Sequence, residues 1–217
     1  MIDHASSQHQ NSGARSCCDV PPRVTARTFL FACGTAIVTV AVFAPSLKNG
    51  FVDWDEPGLI LENPHIRRLG WDQVRWMFTS FHMGPYQPLP WLSLALDYQI
   101  WGFEPLGYHL TSLMWHAANG LLFFVLARRI LRLAVPNSVE QSSLLELCAA
   151  ISAIVFALHP LRVESVVWAA QRRDVLSGFF VLATVWAYVN AARPGLPRSR
   201  YFGWMVCSQL MFFMSLL

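Results

Sequence analysis

Charge is scarce in this sequence. Only 13% of its 217 residues are Asp, Glu, Lys or Arg, against roughly a quarter in soluble globular domains. So little charge excludes a water-facing surface over most of the chain. The net charge of +3 is modest and gives no reason to expect nucleic acid as a partner. Cysteine is sparse too. Cys17 and Cys18 are adjacent, while Cys33, Cys148 and Cys207 fall inside apolar runs, so neither a metal-binding spacing nor a disulfide framework emerges. What is abundant is hydrophobic residues, at 54% of the chain. The composition describes a protein built for a bilayer.

Residues 1–27 are polar, with Pro21-Pro22 near the end, and read as a disordered cytoplasmic tail. An apolar run over 28–47 follows Arg15, Arg23 and Arg27 and is long enough to span, which suits an uncleaved signal anchor. Further spans are expected at about 107–128, 145–158, 175–192 and 201–217. Two longer polar stretches separate them on one side, 48–105 and 159–174. In the first, Trp71, Val74, Phe78 and Phe81 share one helical face, which predicts an amphipathic helix over 71–81. A second helical piece is expected from Leu89 to Trp101. Trp54, Trp71, Trp76, Trp91 and Trp101 all lie in this loop, and tryptophan favours the membrane interface. His116 and Asn119, inside the second span, read as polar contacts between helices. The fold expected is an all-α polytopic membrane bundle of four to five spans, with a helical, amphipathic first outer loop. The chain stops inside its fifth apolar run, so the sequence reads as a fragment.

Loop charge orients this bundle. The tail and the connections at 128–145 and 192–200, counted with Glu146, net +5, whereas the opposite segments net −2. Positive charge stays on the cytoplasmic side. The N-terminus is therefore expected inside, and the loops 48–105 and 159–174 outside, on a periplasmic or luminal face.

Two polar groupings share that outer face. One is Phe51-Val52-Asp53-Trp54-Asp55-Glu56-Pro57-Gly58, with three carboxylates in four positions beside a hydrocarbon boundary. The other holds His159, Arg162, Glu164, Arg172, Arg173 and Asp174. Sugar transfer from a polyprenyl-phosphate donor needs a carboxylate to take the acceptor's proton. It needs cations for the departing phosphate, and a groove at bilayer depth. The two groupings offer these parts. Asp53-x-Asp55 is also a weak pattern for a divalent cation. Solvated loop acids and headgroup-binding arginines are the plainer readings of the same residues.

The run Phe51 to Gly58, with Glu62-Asn63-Pro64, resembles the first outer loop of GT-C type membrane glycosyltransferases. The resemblance is greatest to the tetratricopeptide-repeat-associated group related to protein O-mannosyltransferases. Tyr86-Gln87-Pro88-Leu89-Pro90-Trp91-Leu92-Ser93 with Leu96-Asp97 resembles a further signature, as does Gly107-Tyr108-His109-Leu110-Thr111-Ser112-Leu113 with His116-Ala117-Ala118-Asn119. The most specific match is His159-Pro160-Leu161-Arg162-Val163-Glu164-Ser165-Val166 with Trp168 and Gln171-Arg172-Arg173-Asp174-Val175-Leu176-Ser177. The resemblance implies a lipid-linked sugar donor and a hydroxyl acceptor on protein or glycan. It places the catalytic pair on Asp55 and Glu56, with Asp53 less firmly assigned, and it implies roles for Arg172 and Asp174 in the second outer loop. A non-catalytic membrane module, flippase-like or an assembly partner, is the competing expectation.

Overall fold

The computed structural model describes residues 25–135 and 141–217. The tail read as disordered, including Cys17-Cys18, lies almost wholly outside the described residues. Eight α-helices are named here in chain order: α1 Ala26–Phe43, α2 Trp71–Met77, α3 Pro88–Trp101, α4 Pro105–Ala134, α5 Gln141–Leu158, α6 Arg162–Val167, α7 Arg172–Ala191 and α8 Arg198–Leu216. No strand occurs among the described residues. The chain is an all-α membrane bundle. By length and composition three described helical segments can cross a bilayer: Ala26–Lys48, Pro105–Ala134 and Ala169–Ala191. A shorter apolar helix, Ser143–Leu158, lies beside them.

Sequence sets the helix ends. Thr25 caps α1 and exchanges hydrogen bonds with Thr28, satisfying donors that a helix start leaves free. Pro88 and Pro105 stand in the first turns of α3 and α4, where a missing N–H costs nothing. His159-Pro160 ends α5, and the His159 ring Nδ1 accepts from Leu161 N at 3.3 Å. Gly195, at φ +74°, makes the turn between α7 and α8, a conformation that glycine adopts without strain.

α1, α4 and α5 pack through small and hydroxyl residues. A Cβ on Gly120 of α4 would lie 3.7 Å from both Ala157 Cβ and Thr39 Oγ1, so the helices meet at close range, as membrane helices do. Polar residues bridge the same bundle. The His116 ring Nε2 lies 2.9 Å from the Ala157 carbonyl, and Asn119 Nδ2 donates to the Val175 carbonyl at 2.9 Å. α8 runs back along α7. Ser208 Oγ donates to Thr184 O at 3.1 Å and Ser177 Oγ to Ser215 O at 2.9 Å.

Residues 48–105 fold onto one end of the bundle and carry their own core. Leu59, Ile60, Ile66, Met77, Trp91 and Tyr108 are buried together. Here the expected helix over 71–81 is shorter. It ends at Met77, and the Tyr86 hydroxyl donates to the Phe78 carbonyl beyond it at 3.0 Å. The face picked from the spacing lies outward: Trp71, Phe78 and Phe81 are exposed, while Met77 points inward. Trp76 beside it packs against the rings of His65, His82 and Trp91, which holds Met77 in the core. The five tryptophans divide likewise. Trp91 is fully buried, whereas Trp54 and Trp71 remain exposed.

Candidate functional site

The two polar groupings meet at this loop end of the bundle. The chain leaves Lys48, turns at Val52–Trp54, and then enters a single π-helical turn, Pro57–Leu61, with Pro57 at its first position. The turn buries Glu56 completely. Its Oε1 accepts from the Ala169 backbone N–H at 2.9 Å, and its Oε2 accepts from Val52 N–H. One carboxylate thus closes its own loop and ties it to the segment between α6 and α7. Its neighbours are left outside this tie. Asp53 is exposed and Asp55 half-buried.

Arg172 opens α7 and is fully buried. Its guanidinium lies 2.7 Å from Asp97 Oδ2. It also donates to Ser93 Oγ at 2.7 Å, to the Tyr108 carbonyl at 2.8 Å and to Ser112 Oγ at 3.1 Å. Thr111 Oγ1 donates to Asp97 Oδ1 at 2.7 Å. Burial pushes the Asp97 carboxyl above its ordinary range, opposed by the Arg172 charge and the Thr111 hydroxyl. Arg172 therefore fastens α3, α4 and α7 together, with its donors already spent on protein groups.

Arg173 is the next residue and behaves differently. Its side chain is 46% exposed, and its Nε lies 3.1 Å from Gln171 Oε1 and 3.8 Å from Asp174 Oδ1. It borders two adjoining cavities. One, of about 170 Å³, is lined by Asp55, Leu59, Met83, Gln87, Gln171 and Arg173 among others. The second, of about 200 Å³, shares Pro85, Gln87 and Arg173 and runs between α7 and α8 past Ser177, Met214 and Leu216.

Of the residues picked from the sequence, Asp55 and Asp174 line these cavities. Asp174 also accepts from Ser165 Oγ at 3.0 Å. Glu56 and Arg172 lie beneath, engaged with backbone and buried side chains. His159, Arg162 and Glu164 border neither cavity. Arg162 sits over the Phe156 ring at 4.6 Å, and Glu164 accepts from Gln171 Nε2 at 3.3 Å. Among the described residues no group of three His, Cys, Asp or Glu side chains gathers as a metal site. Asp53 and Asp55, the pair that the Asp-x-Asp pattern suggested for a divalent cation, are therefore joined by no third such ligand. Sequence reading passed over Gln87 and Asp97 as site residues, and it placed Arg173 in the outer polar grouping without separating it from Arg172. Adjacent helical residues point about 100° apart, so Arg172-Arg173 announced one inward and one outward arginine without saying which.

The protein O-mannosyl-transferase Tmtc3 of Drosophila melanogaster is 32% identical over 123 residues, covering 52% of this chain and 13% of its own length. TMTC3 of Mus musculus is 28% identical over 172 residues, covering 74% of this chain and 17% of its own. The chain is thus similar to proteins named protein O-mannosyl-transferases. TMTC4 of Homo sapiens, another O-mannosyl-transferase by name, is 26% identical over 166 residues, covering 72% of this chain and 22% of its own length. The chain thus spans 13 to 22% of the length of these O-mannosyl-transferases. No protein-family model matches it, and no solved structure does.

Proposed function

We propose that this chain contributes active-site residues to a membrane glycosyltransferase that moves a sugar from a polyprenyl-phosphate donor to a hydroxyl on protein. The names of its relatives make mannose the first sugar to test. Asp55 is the general base. It takes the acceptor hydroxyl's proton while the acceptor oxygen bonds to the anomeric carbon. The bond from that carbon to the phosphate oxygen breaks, and polyprenyl phosphate leaves. Glu56 is a positioning residue, and Asp53 lies outside the reacting groups. The loop end faces the periplasm or lumen and the N-terminus the cytoplasm, as the loop charges favour.

One observation carries this reading. Of the three carboxylates at 53–56, Asp55 alone lines either of these two cavities, and the same cavity is bordered by Arg173, whose contacts with Gln171 and Asp174 run through Nε. A base must reach within about 3 Å of the proton it takes, and a carboxylate spent on backbone N–H groups, as Glu56 is, cannot turn to a substrate. The test is Asp55→Asn in the full-length protein with a polyprenyl-phosphate mannose donor. Turnover should fall by roughly 10²-fold or more with donor binding unchanged. Near-normal turnover would remove Asp55 from the role.

A further inference from the structure

The adjoining cavities differ in chemistry along their length. At the loop end stand Asp55, Gln171 and Gln87. At the other end, between α7 and α8, stand Leu176, Met214 and Leu216. Arg173 borders both. A polar chamber, a cation and a cleft between α7 and α8 follow one another in that order. A lipid-linked sugar has the same order of parts: sugar, phosphate, hydrocarbon chain.

The second outer loop carries four basic side chains, and three of them are engaged elsewhere. Arg172 is enclosed by Asp97, Ser93, Ser112 and the Tyr108 carbonyl. Arg162 covers the Phe156 ring, away from both cavities. His159 is engaged with the backbone at Leu161. Among the described residues, the polar partners of Arg173 are Gln171 and Asp174, both through Nε. Its two terminal nitrogens remain for a ligand, and paired guanidinium N–H groups suit a phosphate. Asp174 beside it disfavours a second negative charge. That carboxylate is held partly aside by the Ser165 hydroxyl, at 3.0 Å.

We infer that Arg173 is the phosphate-binding cation of this protein, and that the α7–α8 cleft admits the isoprenoid chain. The assignment rests on the donor reading above and adds to it the residue that meets the phosphate and the path of the lipid. It replaces the buried Arg172 in that role.

The experiment uses the full-length protein in nanodiscs and measures equilibrium binding of two probes, a short-chain polyprenyl monophosphate and the corresponding polyprenol. Arg173→Gln should weaken monophosphate binding at least tenfold and leave polyprenol binding unchanged, and Arg173→Lys should recover most of the loss. Ser177→Phe, which fills the cleft, should weaken both probes. If Arg173→Gln does not assemble, Arg173→Cys carries the test: an aminoethyl thiol reagent should restore monophosphate binding and a methyl reagent should not. Equal monophosphate affinity in wild type and Arg173→Gln would overturn the assignment while leaving the donor reading intact. Failure of the wild type to bind the monophosphate at all would overturn both.

Discussion

Two neighbouring arginines, Arg172 and Arg173, have opposite environments, and so should respond differently to substitution. Arg172→Ala leaves Asp97 buried without its counter-charge, together with the hydroxyls of Ser93 and Ser112. Breaking a buried pair in this way costs about 3–5 kcal/mol. The expected result is loss of the folded protein, read as a collapse of thermal stability in detergent. Arg173→Ala should leave the melting temperature nearly unchanged, since its one ion pair spans 3.8 Å and is half-exposed. A stable Arg172→Ala variant would contradict the fastening role. Glu56→Ala belongs to the same scale. It frees the Ala169 and Val52 N–H groups, and one unsatisfied buried donor costs about 1–3 kcal/mol. The variant should remain folded because the loop core around Trp91 persists. It should lose turnover with substrate KM little changed, because it displaces Asp55 without touching the substrate. Glu56→Gln keeps an acceptor oxygen and should restore part of that turnover.

Among the elements, α1, α4 and α5 owe their close approach to Gly120. A side chain there larger than methyl must displace Thr39 or Ala157. Gly120→Leu should destabilise by about 1–3 kcal/mol, the range for overpacking, and Gly34→Leu should not, since nothing lies within 4 Å of a Cβ there. Resistance to denaturing detergent, compared for the two variants, checks this. Much of this level was legible in the sequence. Apolar runs bounded by arginine and proline marked the long helices, because hydrocarbon thickness sets their length. His116 and Asn119 stood out as polar residues in an apolar run and do bridge helices. The helix over 71–81 was misjudged at its end, since it stops at Met77. Amphipathic spacing reports which side is apolar, and here both sides are: one meets the loop's own core, the other remains exposed. The burial of Glu56 was also beyond sequence reading. Its partner at Ala169 is a backbone group 113 positions away, and a backbone donor leaves no signature in residue type.

For the molecule as a whole, the orientation across the bilayer is open to a direct test. In a cysteine-free background, Arg68→Cys should react with an impermeant thiol reagent from the periplasmic or luminal side, and Ser199→Cys only from the cytoplasm. Labelling of both from one side would overturn the orientation drawn from loop charge. The ends of the bundle also differ in how they are held. At the loop end, α4 is joined to Arg172 through Tyr108 O and Ser112. At the opposite end, Arg128 and Arg132 of α4 pair with buried Glu146 of α5 at 2.7 and 2.9 Å, and Thr28 of α1 donates to the same carboxylate.

Those two ionic fixings stand on one helix, about 30 Å apart by helical rise. A helix pinned at both ends cannot slide along its axis like a piston, because either fixing would have to break and leave a buried charge. Whatever opens this protein to a lipid must therefore move sideways, and at the cleft that motion is a parting of α8 from α7, which meet through the Trp186 and Trp204 rings and the Ser208 and Ser177 hydroxyls. A disulfide between α1 and α4 should then leave lipid entry intact, and one between α7 and α8 should stop it.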